Sequence, residues 1–346
     1  MAIGERQKNI LSLIVEEYIR SGEAIGSKTI CSLLPYSVSS ATVRNDMARL
    51  TEMGLIEQRH TSGGRVPSQA AYRYYVNELM IMNPLEPWEE ERLDAQLSVN
   101  AGDADRLLAD CTRILARSTG CAAFYTKAAA DYDTVSGVEL IPLGNSRAMI
   151  VMLTSNGVVK SSVCRIETTV DERFRKTFYR LVAQELVGTE LTAVTTAFLQ
   201  SIAVRLGDMM FGMVNVLVSL AALCGEASKS EIHMDGETNL LAHDEFGDSL
   251  LGLLSFLTAK EQFKNMVNST LGRGNEKEIY IGRENMRYEL SNTTMLISKY
   301  RHGKEQDGVI GLIGPTRLDY KNLIPRFDYI TSRTSQLLTQ EGNIYG

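Results

Sequence analysis

Arg44, Asn45 and Arg49 stand close together in the run Ser39-Ser40-Ala41-Thr42-Val43-Arg44-Asn45-Asp46-Met47-Ala48-Arg49-Leu50. These residue types suit the reading of base pairs. A guanidinium can offer two parallel hydrogen bonds to guanine, a carboxamide can do the same with adenine, and Ala41 or Ala48 is small enough to meet a thymine methyl. Ser39, Ser40 and Thr42 add hydroxyls, and a helix beginning there would present free N–H groups to phosphate. A second polar cluster follows at His60-Thr61-Ser62-Gly63-Gly64-Arg65, where adjacent glycines let backbone approach a sugar-phosphate chain closely. Each residue also has a plainer reading. Arg44 can pair with Asp46 or Glu52 on a solvated face, and Ser39 is a helix cap in either case.

Other chemistry finds little support. Gly22-Glu23-Ala24-Ile25-Gly26-Ser27-Lys28-Thr29 imitates a phosphate-binding P-loop, but three residues separate the glycines instead of four and Ser27 precedes the lysine. His233 and His243 lack metal-ligand spacing, and His302 stands alone. No nucleophile, base and orienting group assemble from local motifs, so neither an enzyme nor a cofactor or metal site is expected. The five cysteines, Cys31, Cys111, Cys121, Cys164 and Cys224, are odd in number and widely spaced, which reads as free, buried thiols in a reducing compartment. Arg317, in Gly314-Pro315-Thr316-Arg317 after an apolar strand, is read as a structural ion-pair partner before an effector ligand.

The elements that must position the first cluster follow from periodicity. Ile10, Ile14 and Tyr18, with Leu11 and Val15 beside them, make one apolar face of a helix over 5–20 that stops at Ser21-Gly22. Ser27 opens a short helix to Leu34, and Pro35-Tyr36 break it. Ser39 caps a third helix with Val43, Met47 and Leu50 inward, and Gly54 ends it. A strand at 55–59, the glycine-rich tip and Val66 complete the order of a winged helix-turn-helix, whose third helix enters the major groove.

Charge alone would not suggest this. The whole chain carries −6, while residues 1–83 hold 9 Lys+Arg against 8 Asp+Glu. No signal peptide is read at the N-terminus, and the most apolar run, Met209 to Cys224, is short of the roughly 20 residues that cross a bilayer. A cytoplasmic protein without membrane contact is expected.

Several motifs then resemble one family in order along nearly the whole chain. Gly26-Ser27-Lys28-Thr29-Ile30, Val38 to Met47, Gly54-Leu55-Ile56, His60 to Pro67 and Tyr72-Arg73-Tyr74-Tyr75-Val76 resemble the heat-inducible transcription repressor family HrcA. So do Gly236 to Leu241, Ile281-Gly282-Arg283-Glu284-Asn285 and Ile313 to Tyr320. The resemblance implies an α+β protein: a winged helix, a GAF-like α/β domain, and a mainly helical dimerisation domain inserted into the latter. It implies repression of chaperone operons through an inverted-repeat operator called CIRCE, with double-stranded DNA, a second copy of the chain and the chaperonin GroEL as partners. Where the family commonly has Ala, this chain has Gly63 or Gly64, which is expected to loosen the wing; where the family has Gly, it has Ala71.

Set on the sequence, the domains fall at 1–83, at 84–166 with 228–346, and at 167–227 for the insertion. Pro84, Pro87 and the run Glu89-Glu90-Glu91 mark the first boundary. The helix after Ser68, through about Met82, is read as aromatic packing, with Arg73 free to touch phosphate. Strands are predicted at 121–126, 138–143, 148–154 and 158–166, and again at 231–234, 278–281, 294–298 and 309–313, with a last helix after Asp319 kinked by Pro325. The segment from Met209 to Leu223 is apolar almost all round. Either a second copy covers it, through Phe174, Phe178, Leu181, Phe198, Met209, Met210, Met213, Leu217 and Leu220, or it is a central core helix of one subunit. A rival function is a winged-helix regulator that senses a metabolite in its GAF-like domain.

Overall fold

The computed structural model describes residues 3–58, 64–127, 133–155, 157–206, 210–228, 231–271, 276–302 and 305–342. They form two compact units, Met1–Thr126 with Ile232–Gly346, and Lys127–Glu231. Among the described residues no helix is long and apolar enough to cross a membrane.

The first unit begins with α1 (Glu5–Ser21), α2 (Ser27–Leu33) and α3 (Ser40–Glu52). The apolar stripe of α1 is buried as its spacing requires, and Gly22 at φ 72° turns the chain out of the helix, its N–H donating to Tyr18 O at 2.9 Å. Strands β1 (Ile56–Glu57) and β2 (Val66–Pro67) pair antiparallel, and Ile25 and Arg65 exchange backbone hydrogen bonds of 2.9 and 2.8 Å, which adds a third rung. Ser68 caps α4 (Gln69–Tyr74), which continues as a π-helical turn over Tyr75–Leu79. Tyr72 and Tyr75 are buried, and Tyr72 faces Tyr320 with ring centroids 6.0 Å apart.

The same unit continues through α5 (Pro87–Leu97), α6 (Ala104–Thr119) and β3 (Ala122–Lys127), and resumes with β7 (Glu231–Asp235), α10 (Leu250–Thr258), α11 (Lys260–Leu271), β8 (Lys277–Ile281), β9 (Thr293–His302), β10 (Glu305–Pro315) and α12 (Tyr320–Gly342). The sheet order is β7-β3-β10-β9-β8. Counted within the domain this is 2-1-5-4-3, the order of a GAF-type sheet. Side-chain alternation divides the layers. Ala123, Tyr125, Leu296, Ile310 and Leu312 share a core with α6, α12 and the winged helix, while Phe124, Met295, Ile297, Val309 and Ile313 share one with α10 and α11. Gly311 is obligatory between them: a Cβ there would lie 2.2 Å from the Phe124 ring.

Pro325 lies inside α12. Proline cannot donate to the carbonyl four residues back, which is that of Lys321. The N–H of Asn83 takes that carbonyl at 3.1 Å, and Asn83 Nδ2 donates to Asn322 Oδ1 at 2.8 Å. The segment leaving the winged helix is thus fastened where the proline frees an acceptor.

The second unit has its own sheet, β4 (Val135–Gly144), β5 (Arg147–Thr154) and β6 (Val159–Arg165) in that order, with α7 (Glu172–Leu181), α8 (Thr196–Leu206) and α9 (Met210–Ala227). Asn145 and Ser146, at φ 51° and 57°, form the predicted β4–β5 turn. The sequence reading joined these three strands to the GAF-like domain, whereas their pairing is with one another. Alternation identifies a strand but not its neighbours, so the 166/167 division had no access to this.

The second unit also answers what covers α9. Phe174, Phe178, Leu181, Met213, Leu217 and Leu220 are all at most 5% exposed and pack into one core with Val138, Ile150 and Met152 of the sheet. Phe198 is partly buried against that core. These side chains are enclosed within the chain and are not presented to a partner. Met209 and the side chain of Met210 lie outside the described residues. The opposite face of α9 leaves Phe211, Val214 and Val218 at 76%, 37% and 53% exposed.

Candidate nucleic-acid interface

The N-terminus of α3 is built by hydroxyls. Ser39 Oγ accepts from the Thr42 N–H at 3.1 Å and lies 2.9 Å from Thr42 Oγ1. Ser40 Oγ lies 3.0 Å from Ser27 Oγ, so the starts of α2 and α3 are joined side by side. Val43, Met47 and Leu50 are buried beneath. Ser40 and Thr42 are half-buried, while Ser39, Ala41, Arg44, Asn45, Ala48 and Arg49 are exposed.

The disposition of charge decides what this face can do. Asp46, one candidate partner for Arg44, points inward and is only 3% exposed. It accepts from Arg6 Nε at 2.6 Å and from Gln7 Nε2 at 3.4 Å. The carboxylate on α3 is thereby paired from α1, and it holds the Arg6 guanidinium above its ordinary value. Arg44 and Arg49 make no ion pair with the described residues. Lys28 and Thr29, absent from the sequence-derived set, are exposed on the first turn of α2, which the Ser27–Ser40 contact holds beside α3. The available signal was the pairing of two serines at the two helix starts.

The wing is described in part. His60, Thr61 and Ser62 lie outside the described residues. Arg65 is half-buried, and its Nε donates to Thr51 Oγ1 at 3.3 Å, which ties the wing to the end of α3. Gly64 tightens this corner instead of loosening it: a Cβ there would stand 2.5 Å from the Ile25 carbonyl carbon and 2.6 Å from Ala24 O. Alanine at this position would have to displace backbone.

Two arginines belong to the packing of the domain. Arg73, which the sequence left free for phosphate, donates from Nε to Glu284 Oε1 at 2.8 Å and from Nη2 to Ile279 O at 2.5 Å. Burial pushes the Glu284 carboxyl up, but the Arg73 hydrogen bond, the Ile281 N–H and the Arg73 charge outweigh it and hold the group below the ordinary carboxylate value. Arg317 pairs with Glu245 and donates from Nη1 to Ile19 O at 2.9 Å, the structural role read from its turn. His233 stacks on Tyr125 at 4.8 Å, and the His243 ring meets Gly120 O at 3.0 Å. Among the described residues no cluster of metal-ligating side chains forms. Burial raises the Cys111 and Cys121 thiols to about 12, so both stay protonated.

Comparison with known proteins places this geometry. Residues 2–80 match the model of the winged helix-turn-helix transcription repressor, HrcA DNA-binding domain. Residues 105–324 match that of the HrcA protein C-terminal domain. The chain belongs to the HrcA family. HrcA is thus a family of winged-helix, DNA-binding transcription repressors of the heat-stress response, and not of enzymes. The heat-inducible transcription repressor HrcA of Moorella thermoacetica is 32% identical over 344 residues, 98% of this chain and 99% of the relative. That of Symbiobacterium thermophilum is 30% identical over 338 residues, 97% and 98% of the two chains. A crystal structure of a hypothetical protein at 2.2 Å resolution shares the fold, with a TM-score of 0.65 at 23% identity over 98% of this chain and all of that one.

Proposed function

We propose that this HrcA-family repressor acts in the cytoplasm as a homodimer that presents two copies of α3 to the half-sites of an inverted repeat, the CIRCE operator of chaperone operons. The observation that carries the reading is the exposed face of α3. Arg44, Asn45 and Arg49 are unencumbered, because the acid between them is turned inward onto Arg6. Arg44 and Asn45 read base edges, Arg49 and Lys28 meet phosphate, and Ser39, Ser40 and Thr42 set the helix start against the backbone. His60, Thr61, Ser62 and Arg65 follow the adjacent groove.

Two-fold DNA sites call for two-fold proteins, and the exposed stripe Phe211, Val214 and Val218 on α9 is the surface proposed for pairing. The proposed organisation is a reader domain over 1–83, a GAF-like domain, and an insertion that dimerises. Heat removes operator binding, and chaperonin restores it. A gel shift with a CIRCE duplex and a scrambled duplex tests the core of the proposal; equal affinity for the two would refute it. Mild heating should abolish the shift, and chaperonin with ATP should bring it back. Full recovery on cooling alone would remove the chaperonin from the scheme.

A further inference from the structure

Two acids lie on α3, Asp46 and Glu52. Glu52 is exposed, whereas the Asp46 side chain is only 4% exposed. The first turn of α1 is built around that buried carboxylate. Arg6 donates from Nε to Asp46 Oδ2 at 2.6 Å and from Nη2 to Oδ1 at 3.4 Å. Gln7 Nε2 donates to the same Oδ1 at 3.4 Å, and Gln7 Oε1 accepts from the Gly4 N–H at 3.2 Å, which turns the amide toward Asp46. The Arg6 side chain is itself half exposed, so the desolvated member of the pair is the acid.

A carboxylate stripped of water must keep a cation, because an unpaired buried charge is among the costliest defects a fold can carry. In the folded chain that cation is Arg6. Along its own helix, a side chain at position 46 reaches residues 42, 43, 49 and 50, three or four away on either side. Only Arg49 among them carries a positive charge. Asp46 and Arg49 are therefore spaced as ordinary partners for a helical ion pair, yet Arg49 is exposed and makes no ion pair with the described residues. Glu52, three residues beyond Arg49, lies in solvent, where such a pair is worth little and does not hold a side chain in place. The demand of the buried acid is the greater one, and the guanidinium from α1 meets it.

We propose that Arg6 is a positioning residue for DNA binding: by occupying Asp46 it leaves Arg49 available to phosphate. This role rests on the reading face proposed for α3, and it requires no contact between Arg6 and DNA. Removing Arg6 acts at a distance. Asp46 then draws Arg49 back onto its own helix, and one phosphate contact per protomer is lost while the residues on the exposed face of α3 are unchanged.

Proton exchange of the arginine Nε–H groups, followed by NMR on the full chain with Arg49→Lys to assign the signal, tests this without DNA. Arg6→Gln should slow exchange at Arg49 about threefold or more, as a charge-assisted hydrogen bond does, and adding Asp46→Asn should return it to the wild-type rate. In gel shifts over a salt series, Arg6→Gln should weaken binding to a CIRCE duplex and to a scrambled duplex alike by about fivefold, with a slope of log affinity against log salt lower by about 1. Asp46→Asn added to Arg6→Gln should restore both. A pair that only braced the fold predicts no such recovery, since the double variant lacks everything that the single one lacks. Should Arg6→Gln lower the thermal midpoint so far that the winged helix unfolds, Asp46→Asn alone decides: wild-type affinity and slope support the role, and loss of either overturns it. Unchanged Arg49 exchange in folded Arg6→Gln, or no recovery in the double variant, also overturns it. Equal wild-type affinity for the two duplexes would refute operator recognition and leave the exchange result standing.

Discussion

Arg44 and Lys28 are both exposed cations on neighbouring helices, and the proposed function gives them different work. Under the proposed function, Arg44 pairs bidentately with a base edge and Lys28 meets phosphate. Arg44→Ala is expected to cost about 1–3 kcal/mol of operator affinity and to relax preference at one position of each half-site. Lys28→Ala is expected to weaken operator and scrambled duplexes alike, and to lower the slope of log affinity against log salt by about 1. Gel shifts over a salt series with single-base operator variants separate the two outcomes. Arg49 has the same chemistry as Arg44, and the proposal gives it phosphate only because it stands one to two turns farther along α3. At this scale the sequence already placed Arg44, Asn45 and Arg49 on the exposed side of α3, since residue type and helical period suffice. It could not tell which acid each arginine would meet, because Asp46 finds its partner forty residues away on α1.

Two elements carry their own tests. The grip on α4 depends on an ionised Glu284. Its folded-state value is depressed, so its stabilising contribution is present above the ordinary carboxylate pKa of about 4.3 and is lost as pH falls through the lower folded value. Hydrogen exchange at the α4 amides should therefore speed up, relative to the α6 amides, between pH 5 and pH 3; an unchanged ratio would show that the ion pair does not hold the helix. On α9 the two faces predict opposite failures. Phe211→Asp with Val218→Asp should give a folded monomer by sedimentation, with weakened operator binding. Met213→Asp, which buries a charge in the core under β5, should unfold the second unit, since uncompensated buried charges cost several kcal/mol. The sequence marked α9 as needing cover on most sides. What supplies it is the three-stranded sheet, which the linear pattern could not assign to this helix.

In the first unit the winged helix has no boundary of its own. Its core is continuous with α5, α6 and α12. Tyr72 packs on Tyr320, Lys321 Nζ reaches Glu16 Oε1 at 2.7 Å, and Asn83 caps the carbonyl that Pro325 leaves free. An excised fragment of residues 1–80 should for this reason melt several degrees below the first unit in the full chain, each 1 kcal/mol lost being worth about 4–8 °C in a domain of that size. Circular dichroism of fragment and full chain decides it; identical midpoints would make the winged helix self-sufficient. Unfolding of the winged helix alone would then be a separate event, whereas a shared core is expected to make its unfolding and that of the rest of the first unit one transition.

Local rules were enough to settle the order of the winged-helix elements and most later strands, the buried stripes of α1 and α3, the serine cap of α3, the β4–β5 turn and the structural use of Arg317, while α5, read as a boundary from its prolines and acidic run, was missed. Each depends on residues within a turn or two of one another, where helical period, capping and turn chemistry act. Only the tertiary structure decided what lies across a gap in the chain: Asp46 on Arg6, Arg73 on Glu284, the β4–β6 sheet over α9, and the close approach at Gly64. The physical reason is the same in each case. Pairing and burial are satisfied by whichever group the fold brings within a few ångströms, and hydrophobic periodicity records that a face must be covered without recording by what.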